Sequence, residues 1–115
     1  MIVTVSISAA VLCIAEACFP ALVGASTPRG EFPLNQRIVS TEGYGGDVMQ
    51  FAETPSEWFA VHRPWLGHPS ERRIERLRAG DAAQRRQITG GCINVLPHVY
   101  ERLKASGATS ITIKD

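Results

Sequence analysis

Cys92 and His62 are the two residues of this chain best suited to covalent chemistry. Cys92 lies in the segment Thr-Gly-Gly-Cys-Ile-Asn, residues 89–94. A thiol becomes an effective nucleophile when a histidine takes its proton and the resulting imidazolium stabilises the thiolate. The glycines before Cys92 let the backbone turn sharply, so that N–H groups can approach the carbonyl under attack. The pattern predicts acyl chemistry with Cys92 as nucleophile and His62 as base.

Other roles for these side chains stay open on the sequence alone. A lone cysteine is commonly a small buried apolar residue. His68 and His98 are rival bases or, together with His62 and Cys92, candidate metal ligands. No two histidines have the i, i+4 spacing of a helical metal motif, and the cysteines are not spaced as CxxC. We therefore expect no metal site and no cofactor.

The residues after His62 are candidates for substrate contacts. Arg63 and Trp65 follow it closely and are predicted to line the cleft, because arginine binds carboxylates through two parallel hydrogen bonds. The alternative for Arg63 is a solvated position at the rim. Seven arginines lie between residues 63 and 86, against three acidic residues. They indicate a basic patch.

The arginines of residues 70–79 have two interpretations. They form either a solvated helix face, partly paired with Glu71 and Glu75, or a surface that attracts an anionic polymer. Nucleic acid is not expected as a partner, because the arginines lack interleaved aromatic residues and the net charge is only +1. The arginines concerned are Arg72, Arg73, Arg76 and Arg78.

A mainly β chain is predicted to position these residues. Alternation of apolar and polar residues predicts a hairpin from residues 2–14 and 19–24, connected around Glu16 and Ala17, which would place Cys13 and Cys18 on neighbouring strands. Residues 27–30 (Thr-Pro-Arg-Gly) predict a compact turn. Further strands are expected at residues 37–41, 48–51, 58–61 and 110–114. His62 would then lie at the end of a strand, where side chains are often presented to a site.

Two helices are expected late in the chain. Ser70 is a suitable N-cap for an amphipathic helix over residues 70–79. Proline at the first position predicts a second helix over residues 97–105, ended by Gly107. With 115 residues, 44% of them apolar and 20% charged, the chain fits one globular domain over residues 1–115.

The order of these motifs resembles that of the L,D-transpeptidase catalytic domain, the YkuD-like family. The resemblance rests on residues 91–94 (Gly-Cys-Ile-Asn), on the strand that ends in His62 and on residues 26–32 (Ser-Thr-Pro-Arg-Gly-Glu-Phe), and it extends over residues 3–113. Two departures are visible. Gly90 stands where many members have histidine, and the separation of His62 from Cys92 is long, which we attribute to an inserted helix at residues 70–79.

The resemblance implies a β-sandwich with one or two short helices late in the chain. It also implies residue roles: Cys92 as nucleophile, His62 as general base and the N–H groups of Gly91 and Cys92 as oxyanion donors. Gly90 and Asn94, the latter at the variable Arg/Asn position of the family, are placed among the substrate contacts.

The implied reaction is acyl transfer on peptidoglycan stem peptides through a Cys92 thioester, with cross-linking or carboxypeptidase outcome. The alternative is a catalytically silent module of the same fold that binds peptidoglycan or protein. The implied location is periplasmic or at the cell wall. The apolar run at residues 2–14 lacks a preceding Lys or Arg and is short for a membrane span, so we interpret it as a strand.

Overall fold

The computed structural model describes residues 1–115 as a mainly β protein with two sheets and three short α-helices. The nine strands are β1 Val3–Ser6, β2 Val11–Ile14, β3 Ala17–Pro20, β4 Gly30–Pro33, β5 Asn35–Ile38, β6 Asp47–Glu53, β7 Trp58–His62, β8 Ile93–Asn94 and β9 Ser110–Lys114. The helices are α1 Arg73–Ala79, α2 Ala82–Arg85 and α3 Pro97–Ala105. No helix is long and apolar enough to cross a membrane.

The first sheet has the strand order β3-β2-β1-β9-β4. The N-terminal strand β1 and the C-terminal strand β9 lie side by side and run parallel, and the other pairs are antiparallel. Val3 and Val5 are buried, as are Ile111 and Ile113, while the residues between them are only partly buried. This alternation with period two confirms the predicted strand at residues 110–114.

The single strand predicted over residues 2–14 is wrong, because the chain turns at residues 7–10 and forms two strands. The Ala9 N–H donates to Ser6 Oγ (3.2 Å) and the Ala10 N–H to the Ile7 carbonyl (3.2 Å). Ile7 stays buried through this turn, so the apolar alternation continues across it and conceals it. A second turn then sets β2 against β3 and brings Cys13 opposite Cys18, and a disulfide joins the two residues.

The second sheet has the order β5-β6-β7-β8. Its last two strands run parallel, with Val61 opposite Ile93 and His62 opposite Asn94. The strand predicted at residues 58–61 is confirmed and includes His62 as its final residue. The strand predicted at residues 37–41 begins two residues earlier and ends three residues earlier, as β5, where it pairs with β6.

Residues of both sheets and of α3 share one cluster of 21 buried apolar side chains. The helix predicted at residues 97–105 is confirmed with the same bounds. It contributes Val99, Tyr100 and Leu103 to the core, because positions three and four apart lie on one face of a helix.

The helix predicted over residues 70–79 is divided in two. Pro69–Glu71 forms a single 3-10 turn, Arg72 has a left-handed backbone (φ 54°), and α1 begins only after it. Ser70 therefore caps no helix. The helix α2 was not predicted; it begins at Asp81, whose side chain accepts the N–H of Gln84 in a capping box.

The turn predicted at residues 27–30 lies earlier, at Ala25 and Ser26. The Thr27 N–H donates to the Gly24 carbonyl (3.2 Å), and the Gly24 N–H donates to Thr27 Oγ1 (2.9 Å). The Thr27 hydroxyl, buried beneath this turn, replaces the backbone hydrogen bonds that a strand pair would supply.

Candidate functional site

His62 ends β7, Cys92 directly precedes the parallel strand β8, and both residues line the same two cavities. One cavity, of about 450 Å³, is formed mainly by apolar side chains and we call it the apolar cavity. The other, of about 300 Å³, includes Arg73 in its wall and we call it the arginine cavity. Tyr44 and Trp58 also contribute to both. The two residues predicted to perform chemistry are thus brought together.

The hydrogen bonds of His62 define its proton position. Nδ1 lies 2.5 Å from the backbone carbonyl of Arg63, which can only accept, so Nδ1 carries the proton. Nε2 lies 3.3 Å from the side-chain nitrogen of Asn94 and is left as the acceptor. His62 is 3% exposed. Burial and the positive charge of Arg73 lower the pKa of His62 to about 4, against the opposing bond to Arg63. The imidazole is therefore neutral at pH 7, with Nε2 available as a base.

Arg73 determines which way the Asn94 amide faces. Its Nη1 donates to Asn94 Oδ1 at 2.7 Å. Because a guanidinium has only donors, the amide oxygen must face Arg73 and the amide nitrogen must face His62. Asn94 is completely buried and lines neither cavity. The structure thus places Asn94 behind the proposed base, and not among the groups exposed in the cleft as the sequence predicted.

The Cys92 thiol is only partly buried, and its Sγ lies 3.9 Å from the carbonyl of Trp58. Burial raises the pKa of Cys92, and a backbone hydrogen bond with Ala60 and the charge of Arg73 oppose that rise only in part. No hydrogen bond joins Sγ to His62 in this structure. Both pKa shifts favour the neutral forms of the thiol and the imidazole in this arrangement. The thiolate–imidazolium pair expected from the sequence requires Sγ and His62 to come into hydrogen-bonding contact.

Hydroxyl groups hold the loop that carries Cys92. Thr27 Oγ1 donates to the Gly91 carbonyl (2.9 Å), and Thr89 Oγ1 donates to the Cys92 carbonyl (2.5 Å). Gly91 has φ 126°, and a Cβ there would lie 2.4 Å from the Phe59 ring, so only glycine fits. The early segment around Thr27 thus fixes the position of the proposed nucleophile.

Of the two predicted oxyanion donors, one is free. The Gly91 N–H already donates to Thr89 Oγ1 at 3.1 Å. The Cys92 N–H makes no hydrogen bond within the chain. It is therefore the donor that a tetrahedral oxyanion would meet first.

Trp65 and Gly90 line the arginine cavity, in agreement with their predicted place beside the cleft, but Arg63 does not. The Arg63 guanidinium donates to Asp47 Oδ1 (2.9 Å) and Glu101 Oε1 (2.7 Å) and lies 4.3 Å above the Tyr100 ring. It joins the end of β7 to β6 and α3, and its hydrogen-bonding capacity is used within the protein.

Two residues of the site, Tyr44 and Arg73, are not predicted from the sequence: Tyr44 has no predicted role, and Arg73 is grouped with the arginines of a solvated or polymer-binding face. The Tyr44 ring meets the His62 ring edge-on, with centroids 4.7 Å apart. An aromatic residue between glycines, as at residues 43–46, is the signal that could have indicated it. The Arg73 side chain is only 11% exposed, and nothing in the sequence separates it from the neighbouring arginines.

The rival histidines lie elsewhere. His68 packs edge-on against Trp65, with ring centroids 4.7 Å apart, and His98 is exposed at the start of α3. Neither lines a cavity with Cys92. No group of three or more His, Cys, Asp or Glu side chains is placed to hold a metal ion.

Comparisons with protein-family models, with curated proteins and with solved structures found no match to this chain.

Proposed function

We propose that the protein is a cysteine acyltransferase of the L,D-transpeptidase type that acts on peptidoglycan stem peptides. One observation carries the proposal: His62, held with Nε2 unprotonated, lines the same two cavities as the only free thiol of the chain. Two sheets that share one apolar cluster support the β-sandwich that the motif resemblance implies.

The reaction begins with transfer of the Cys92 proton to Nε2 of His62. For this, Sγ turns away from the Trp58 carbonyl and Nε2 gives up its hydrogen bond with Asn94. The thiolate attacks an amide carbonyl carbon, and the Cys92 N–H stabilises the oxyanion. The C–N bond then breaks, the His62 imidazolium protonates the departing amine, and a thioester remains on Cys92. An amine acceptor gives a cross-link, and water gives hydrolysis.

The cell wall outside the cytoplasmic membrane is the proposed location. The Cys13–Cys18 disulfide supports it, because such bonds persist in oxidising compartments. The pair lies at the edge of the first sheet, in β2 and β3, and lines neither cavity.

A catalytically silent binding module is the second candidate. The hydrogen bond between Asn94 and Nε2 favours it, because this bond occupies the atom that must take the proton. The two candidates share ligands and differ only in turnover.

Incubation with a disaccharide tetrapeptide separates them. The acyltransferase releases the terminal residue or forms dimers, detected by mass spectrometry, and Cys92→Ala abolishes both products. Binding of the fragment without any product assigns the chain to the silent module.

A further inference from the structure

Arg73 is held rigidly in the wall of the arginine cavity and keeps part of its guanidinium free. Nε donates to Glu71 Oε1 (3.2 Å) and Nη1 to Asn94 Oδ1 (2.7 Å). Nη2 makes no hydrogen bond within the chain. Among side-chain polar atoms that lack a hydrogen bond, only the Tyr100 hydroxyl is fully buried. Arg73 Nη2 also lacks a hydrogen bond, so it must be accessible to solvent. Two fixed nitrogens and one open nitrogen make a pre-organised donor for an anion.

Arg73 is the only positively charged residue in the wall of the arginine cavity. Its only other charged wall residue is Glu57, which is exposed to water. Glu71 lies outside the wall and is already paired with Arg73. The arginine side chain is 11% exposed, so its interactions are screened less than those of a surface arginine.

We propose that Arg73 binds a carboxylate of the acyl donor in the arginine cavity, beside Cys92. Cys92 and Arg73 line the same cavity of about 300 Å³, so a carboxylate bound to Arg73 shares that cavity with the carbonyl under attack. The preferred substrate is then a peptide with a free carboxylate next to the scissile amide, in preference to its carboxamide counterpart. The identity of the donor rests on the proposed function, but the carboxylate site does not.

Alkylation of the thiol tests the site without any peptide turnover. Cys92 is the only free cysteine, so a reagent reports on it alone. Iodoacetate and iodoacetamide react by the same step, in which the thiolate displaces iodide. They differ only in that iodoacetate carries a carboxylate and iodoacetamide an uncharged carboxamide. The ratio of their rate constants cancels any change in the thiolate fraction. Intact-mass spectrometry of the full chain gives both rates.

We expect Arg73→Gln to lower the iodoacetate-to-iodoacetamide ratio by about tenfold, which corresponds to about 1.4 kcal/mol. Arg72→Gln is the matched control. It removes the same charge from the preceding residue, whose side chain is exposed and paired with Glu75. Its ratio should stay within about twofold of the wild-type ratio. An unchanged ratio in Arg73→Gln, or an equal fall in Arg72→Gln, overturns the proposal.

Arg73→Lys covers the case in which Arg73→Gln fails to fold, which circular dichroism reveals. Lysine keeps the charge but lacks the planar fork, and the ratio should fall about threefold; no fall overturns the proposal. The tetrapeptide assay remains independent. A carboxylate preference without peptide turnover supports the Arg73 site and contradicts the proposed acyltransferase. Peptide turnover with an unchanged ratio in Arg73→Gln supports the acyltransferase and contradicts the Arg73 site.

Discussion

The side-chain nitrogen of Asn94 lies 3.3 Å from Nε2 of His62, across the parallel strands β7 and β8. This contact fixes the tautomer of the proposed base and also occupies its basic nitrogen. The site is thus assembled in a resting form, in which the proposed nucleophile and base share cavities but exchange no proton.

Changing the amide of Asn94 to a carboxylate should raise the pKa of His62 from its present value of about 4. A negative charge within hydrogen-bonding distance favours the imidazolium, and such a neighbour shifts a pKa by about one to three units. NMR titration of the imidazole in Asn94→Asp measures the change, and His62→Gln identifies the resonance. A pKa that stays near its wild-type value contradicts the contact.

Burial of neutral His62 makes stability depend on pH. The pKa is about 6.5 in an unfolded chain and is lowered to about 4 here, so the unfolded state binds the proton first as the pH falls. The contribution of neutral His62 to the free energy of unfolding is fully present above about pH 6.5. It declines between about pH 6.5 and pH 4, by up to about 3 kcal/mol.

Urea titrations across this pH range measure the decline, and His62→Gln should reduce it. An equal decline in both proteins assigns it to other groups.

Asp47 titrates lower: burial would raise its pKa, but hydrogen bonds from Lys104, Arg63 and Gln36 lower it to about 2. Its contribution is lost below about pH 4, outside the window of His62.

The roles of Cys92 and His62 can be predicted from the sequence because each is indicated by its immediate neighbours. A strand ending at His62 and two glycines before Cys92 are readable from neighbouring residues. Arg63 lies just beyond β7 and is held by Asp47 and Glu101, residues 16 and 38 positions away in the chain, so its direction away from the cleft could not be predicted from a local pattern. The role of Arg73 depends on contact with Asn94, 21 positions further along the chain, which no local pattern encodes.

Arg85 should be essential for docking α2 on the first sheet. It is 8% exposed and donates to the carbonyls of Ala9 (3.2 Å), Ala10 (3.1 Å) and Gly80. Arg85→Gln removes the side-chain donors to the Ala9 and Gly80 carbonyls and one of two donors to the Ala10 carbonyl, which keeps the Ala21 N–H, and should lower the free energy of unfolding by about 1–3 kcal/mol. Arg86→Gln is the control, since this exposed neighbour makes one bond, to the Ser8 carbonyl. Urea denaturation that gives equal losses contradicts the assignment.

The Cys13–Cys18 disulfide should contribute stability and no chemistry. It closes a loop of only a few residues, so replacing both cysteines with serine should cost about 2 kcal/mol. The rate of Cys92 acylation should be unchanged, because the pair lies away from both cavities. Thermal unfolding and acylation kinetics of the double variant test the two statements. Lost acylation in a folded variant shows that Cys92 is not the sole chemical thiol.

Acylation of Cys92 by a strained β-lactam of the carbapenem type tests the central claim most directly. Intact-mass spectrometry should show one covalent adduct per chain, absent in Cys92→Ala. Because His62 removes the thiol proton, His62→Gln should slow acylation by about two to four orders of magnitude. Raising the pH should partly restore the rate as the thiol ionises without its base. An adduct that persists in Cys92→Ala, or a His62→Gln variant that reacts at the wild-type rate, contradicts the account.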